Sequence, residues 1–252
     1  MKPISPAESI RTYYQTLYAT WGRQHWWPAR TRFEVIVGAY LTQNTSWSNV
    51  EIAIRRLRQG RLLSLAALRN VPLAELEHRI RSSGYFRQKA ARLKTFVAFV
   101  DEHYGGSLRR MFEQPTDKLR QELLALKGIG PETADSILLY AGQHPVFVVD
   151  AYTRRVLDRH AILPANAPYD EVLQLFARSL GGQIPVAHRS PSDTHGLRTD
   201  FSHRPSPMSR APRSRTAQVY NDMHGLLVNV GKRYCLKSEP RCEQCPLRPF
   251  LP

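Results

Sequence analysis

The sequence predicts an all-α fold, and three observations carry that expectation. Apolar residues recur at helical spacing in one segment after another along the 252 residues. The segments are separated by breaks bearing glycine and proline, as at Lys127-Gly128-Ile129-Gly130-Pro131 and Tyr104-Gly105-Gly106-Ser107. With 42% hydrophobic residues, most of the chain can bury a core, enough for one large domain or two small ones.

Lys and Arg outnumber Asp and Glu by 36 to 21, a net charge of +15. That excess predicts a polyanionic partner, most simply nucleic acid; a solvated basic surface or attraction to anionic membranes are the alternatives. No apolar run approaches the length of a bilayer span, and MKPISPAESIRTYY lacks the apolar segment of a signal peptide. No membrane partner is expected. All three cysteines fall in the last eighteen residues, which suggests a metal or cluster site in a reducing cytoplasm, not a disulfide framework.

Taken in order, Ile10, Tyr13, Tyr14 and Leu17 mark a first helix, followed by the irregular segment from Gly22 to Trp26-Trp27-Pro28. Adjacent tryptophans there are packing anchors, or one of them presents its ring to a ligand. Residues 32–44 form an apolar helix ending in polar residues, where Gln43 and Asn44 can cap the last carbonyls. Trp47 follows. Helices are expected over 49–57, 62–69 and 74–80, then a long one from Gly84 to Val100 containing Lys89, which reads as a solvated charge. Leu119, Leu123, Leu124 and Leu126 give an amphipathic helix that breaks at Gly128 and Gly130. Pro131 suits the first turn of the next helix, with Ala134, Ile137, Leu138 and Ala141 on one face. Two glycines two apart fit a hairpin with φ > 0, and free N–H groups at the second helix's start suit a phosphate oxygen. Eighteen residues beyond Glu132, after the apolar run 146–149, stands Asp150, placed to cap a helix running to about His160. Tyr169–Leu180 is amphipathic; residues 182–215, rich in Pro, Ser, Arg and His, lack any period and read as a disordered basic insertion. A last helix covers 217–232 before the cysteine-bearing tail.

The stretch L-K-G-I-G-P-E-T-A followed by V-V-D-A-Y-T-R-R-V resembles the helix–hairpin–helix and catalytic aspartate of the endonuclease III superfamily of DNA glycosylases. The Trp-Trp-Pro and Leu-Thr-Gln-Asn-Thr elements are similar to those of its monofunctional 3-methyladenine branch. The resemblance implies a two-lobed fold with a DNA-binding cleft between lobes. One lobe would be a six-helix domain over 31–145, the other 1–30 with 146–252. It implies Asp150 as the catalytic carboxylate, and Gln43 as the side chain filling the gap left by an extruded nucleotide. Trp47, Trp26 and Trp27 would line the base pocket, where an indole face attracts a cationic methylated purine. Lys127, Gly128, Gly130, Thr133 and Lys89 would touch the DNA backbone. Bifunctional members carry a Schiff-base lysine two residues after the second hairpin glycine; this sequence has Glu132 there.

The tail reads Cys235-x6-Cys242-x2-Cys245, and Leu251 stands where the family's fourth [4Fe–4S] cysteine belongs. Three thiolates with an external or histidine fourth ligand, zinc in a Cys3His site, or free thiols all remain open. The expectation is a cytoplasmic, monomeric base-excision-repair glycosylase that hydrolyses the glycosidic bond of a flipped base, an alkylated purine, in double-stranded DNA. Efficient AP-lyase activity is not expected. An oxidised-pyrimidine glycosylase with lyase activity is the alternative in the same class, and a non-catalytic helix–hairpin–helix DNA-binding protein the one outside it.

Overall fold

The computed structural model describes residues 5–182 and 204–252, which contain helices and no β-strand. They fall into two compact units, Met1–Pro28 with His144–Pro252, and Ala29–Gln143. Among the described residues no helix is long and apolar enough to cross a membrane.

Helix α1 (Pro6–Trp21) begins at Ser5, whose hydroxyl accepts from Glu8 N at 3.3 Å. It buries Ile10, Tyr13, Tyr14 and Leu17, the i, i+3, i+4, i+7 stripe of a helix lying on a core. The second unit opens with α2 (Arg32–Leu41), buried at every residue from Phe33 to Leu41 and apolar on all faces but for Glu34, which pairs with Arg58. Around it come α3 (Trp47–Gln59), α4 (Leu65–Asn70), α5 (Leu73–Arg79), α6 (Phe86–Tyr104), α7 (Leu108–Phe112), α8 (Thr116–Ala125) and α9 (Pro131–Ser136). Helix α9 continues as a π-helical stretch over Ile137–Gly142. Eight α-helices thus stand where the resemblance implies six. The short α4, α5 and α7 are cut out by Pro72, by Gly105-Gly106 and by Pro115.

The first unit resumes with the irregular segment Val146–Val149, all four residues buried. It then forms α10 (Ala151–Arg159), α11 (Tyr169–Leu180), α12 (Pro207–Arg210) and α13 (Arg215–Arg233). Phe147 stacks on Phe176 of α11 with centroids 3.9 Å apart. The expectation of disorder over 182–215 needs correcting at its C-terminal end. Ser206 and Ser209 close a reciprocal capping box around α12, Met208 and Ser209 are buried, and the Ser206 hydroxyl donates to the Trp27 carbonyl at 3.2 Å. A serine at the N-cap with proline after it is a local start signal that a Pro/Ser/Arg composition masks. Residues 183–203 lie outside the described residues.

Candidate active site

Asp150 is positioned from both sides in the chain. The Val149 N–H donates to the Tyr169 hydroxyl at 3.2 Å, which pins the end of the segment before it. Asp150 then takes the N-cap of α10, its Oδ1 accepting from Thr153 N at 2.7 Å. Its Oδ2 lies 3.4 Å from Nε2 of His224 on α13. Burial on its own pushes this carboxyl's pKa up. The facing His224 and the hydrogen bond from Thr153 outweigh burial, so the net shift is downward and Asp150 is ionised at neutral pH. Helices α10 and α13 approach closely because Gly231 has no side chain. A Cβ there would fall 2.3 Å from Tyr152 Cδ1. Arg155 of α10 then reaches the Gly231 and Cys235 carbonyls at 3.0 and 2.5 Å.

The same unit holds both tryptophans of the Trp-Trp-Pro element. Trp26 and Trp27 are 8% and 7% exposed, and their rings meet edge-on at 5.7 Å. Trp26 also faces His224 at 6.4 Å, so the tryptophan, the histidine and Asp150 form one group. The Lys232 ammonium lies 5.6 Å from the Trp26 centroid and supplies a cation to that ring from within the chain.

In the other unit, the turn after α8 puts Gly128 at φ +85°, the left-handed region that favours glycine. Gly130 departs from the expected pair of left-handed glycines: at φ −97°, ψ 175° it is extended and serves as the N-cap of α9. Ile129 is buried between them, while Lys127 and Glu132 are exposed. Arg120 of α8 grips Asp135 of α9 through two bonds, Nε to Oδ1 at 2.7 Å and a guanidinium NH2 to Oδ2 at 3.1 Å. Gln43 does not cap α2. Its Nε2 donates to the Gly128 carbonyl and to Thr133 Oγ1, both at 3.0 Å, and its Oε1 accepts from Arg92 at 3.0 Å. The hairpin, Thr133, Gln43 and Arg92 are therefore one hydrogen-bonded assembly.

Lys89 requires the main correction among the proposed DNA contacts. It is 1% exposed, and its Nζ donates to the carbonyls of Leu41 at 2.9 Å and Ser83 at 2.7 Å. An ammonium with its bonds turned inward cannot meet a phosphate without leaving two buried carbonyls unpaired. Burial, with the nearby charge of Arg92, brings its pKa down to about 8. Trp47 is the first residue of α3, half-buried and outside the core, with its indole N–H on Glu51 Oε1 at 3.0 Å.

Cys235, Cys242 and Cys245 line one small cavity together with Arg159, His160 and Leu251. Burial is the main cause raising the Cys245 thiol's pKa, and Cys235 and Cys242 add to it, which places the three sulfurs within electrostatic reach. Among the described residues no three His, Cys, Asp or Glu side chains are grouped closely enough to hold a metal ion, so neither a zinc site nor a cluster site is preformed there. A cuboidal cluster takes one thiolate at each of four separated corners. The cavity offers three of these, and Leu251 lines it in place of the fourth.

Residues 37–181, more than half the chain, match the family described as HhH-GPD superfamily base excision DNA repair protein. The chain belongs to this superfamily. Over 245 residues it is 38% identical to a Methanocaldococcus jannaschii protein named "Putative DNA repair glycosylase MJ1434", covering 96% of each chain. The structure of H. pylori 3-methyladenine DNA glycosylase (MagIII) bound to 1,N6-ethenoadenine matches with a TM-score of 0.68 and 25% identity, over 91% of this chain and 98% of that one. A trapped endonuclease III–DNA covalent intermediate matches with a TM-score of 0.70 over 97% and 95%; at 22% identity it shows the fold alone. The protein is thus an enzyme of the HhH-GPD base excision repair family, a DNA glycosylase with an all-α fold.

Four residues of these two groups carry no local signal. Arg92, Arg120 and Asp135 read as surface charges on their helices. His224 is one of three polar residues in the run Asn221-Asp222-Met223-His224 of α13, and nothing in that run sets it apart. Only its burial to 5% exposure at Asp150 singles it out.

Proposed function

We propose that this glycosylase hydrolyses the N-glycosidic bond of an alkylated purine everted from duplex DNA, acts as a monomer, and has little AP-lyase activity. As the bond from C1′ to the base nitrogen breaks, its electron pair leaves with the base and positive charge develops on the sugar. The ionised Asp150 carboxylate stabilises that charge and positions the attacking water. A cationic alkylated purine leaves as a neutral base and needs little further help. Lys127, Gly128, Gly130 and Thr133 hold the DNA backbone, with N–H groups at the start of α9 aimed at a phosphate oxygen. Gln43 fills the vacated stack, exchanging its hairpin partners for the orphaned base. Trp26, Trp27 and Trp47 supply indole surface to the base.

The observation that carries the monofunctional reading is Glu132. It stands where lyase members place an amine nucleophile, and a carboxylate cannot form a Schiff base. The 25% identity to the H. pylori enzyme supports the substrate class. Lys232, poised over Trp26, favours a lyase as the second reading, because it is the amine that the described residues set beside the Asp150 group. Cys235, Cys242 and Cys245 would hold a [4Fe–4S] cluster that braces the basic C-terminal segment, its fourth iron taking an external ligand or His160.

Duplexes carrying one methylated purine, one 1,N6-ethenoadenine or one oxidised pyrimidine, incubated with and without later alkali, test the proposal. Excision of the purines, with nicks only after alkali, is the expected result. Nicks without alkali, together with borohydride trapping that Lys232→Ala abolishes, would establish the lyase instead. Asp150→Asn should retain DNA binding and lose excision.

A further inference from the structure

The geometry points to His224 as a positioning residue for Asp150, one that holds the second carboxylate oxygen and so fixes the plane in which the carboxylate meets the sugar. This rests on the reading of Asp150 as the catalytic carboxylate. An N-cap aspartate is restrained through one oxygen, here Oδ1 on Thr153 N at 2.7 Å. With that bond alone the carboxylate can still swing about it. His224 Nε2, 3.4 Å from Oδ2, removes that freedom.

The imidazole is itself held. Its ring meets Trp26 and Phe147, at centroid distances of 6.4 and 6.3 Å with interplanar angles of 61° and 76°. Phe147 in turn stacks on Phe176 and meets Tyr220 edge-on. His224 is 5% exposed on a helix whose spacing from α10 is set by Gly231 against Tyr152. A buried imidazole facing a buried carboxylate and in contact with two aromatic rings has little reason to exist as packing. An apolar residue would fill the same space without the cost of burying a polar ring.

The titratable and charged groups around Asp150 are His224 and Tyr152, with Arg155 beside Tyr152 and Lys232 over Trp26. Tyr152 is pushed up by burial first and by Asp150 second, so it stays neutral through the working range and does not compete for the carboxylate. His224 lowers the Asp150 pKa, so its removal should raise the pH at which activity is lost on the acid side.

Single-turnover excision from the base panel above, measured against pH, tests this. His224→Phe keeps the volume and ring contacts but no donor. It should lower the rate roughly 10- to 100-fold, the scale of a misplaced catalytic group, while duplex affinity is unchanged. Its acid limb should move to higher pH. His224→Gln, which keeps a donor, should recover most of the rate; if H224F does not fold, His224→Leu, which also lacks a donor, takes its place with the same expected loss. Adding His224→Phe to Asp150→Asn should cause no further loss. A wild-type rate and acid limb in the donor-free His224 variant would overturn the positioning role while leaving Asp150 in place. Full activity in Asp150→Asn, or no excision by the wild type, would overturn the underlying reading instead.

Discussion

Replacing Arg120 by leucine isolates the carboxylate that joins the two helices of the hairpin. The Asp135 side chain is 0% exposed and Arg120 21%, with both carboxylate oxygens bonded to the guanidinium. An exposed pair of this kind would contribute less than about 1 kcal/mol. Here the burial of Asp135 decides the magnitude, because the charge left behind has no water to turn to. Removing one partner of a buried pair costs about 3–5 kcal/mol. In a unit of this size such a loss lowers the melting temperature by roughly 10 °C or more. Thermal and urea unfolding followed by circular dichroism would measure it, with duplex affinity from fluorescence anisotropy beside it. Both stability and affinity should fall, since α8 and α9 present the hairpin. The double variant R120L/D135L replaces charge by apolar volume and should return to within about 1.5 kcal/mol of the wild type. A loss below about 1 kcal/mol in Arg120→Leu would refute the reasoning, as would a double variant no more stable than the single one.

Gly128→Ala should weaken duplex binding by at least tenfold, about 1.4 kcal/mol. Its φ of +85° disfavours a side chain and the new Cβ would fall 2.1 Å from Arg92 Nε, displacing the residue that holds Gln43; unchanged affinity would count against the hairpin as the grip. Asp222 is 2% exposed, and burial raises its pKa from 3.8 to about 6 against the opposing Gln218, Arg23 and Arg213. A raised carboxyl favours the folded state below the unfolded value of 3.8 and loses that advantage as pH rises through about 6. Asp222→Asn keeps the Gln218 bond and should be more stable at pH 7.5 by about 2–3 kcal/mol, with a flatter stability profile in denaturant titrations between pH 4 and 6. Protein purified without oxygen should contain iron and inorganic sulfide and show cluster absorbance, all lost in Cys242→Ala; colourless, iron-free protein would remove the cluster from the proposal.

The sequence by itself determined the helices, the hairpin and the placing of Asp150, because each is written in local chemistry. Ile10, Tyr13, Tyr14 and Leu17 repeat at the helical period, Gly128 takes a backbone angle other residues avoid, and Asp150 precedes a helix whose first turn needs an acceptor. The capped turn at Ser206 was equally local but lay hidden in a composition that reads as structureless. Only the tertiary structure decided which polar side chains meet. Lys89 reads as a surface charge, yet it ends against Leu41, forty-eight residues back, because the C-terminus of buried α2 leaves a carbonyl that water does not reach. Gln43 is bound by the hairpin and Arg92 instead of capping its own helix. His224 meets Asp150 across seventy-four residues because α10 and α13 close to the distance that Gly231 permits. Spacing along a chain fixes which face a residue occupies; which donor finds which acceptor is settled only when the packed faces come together.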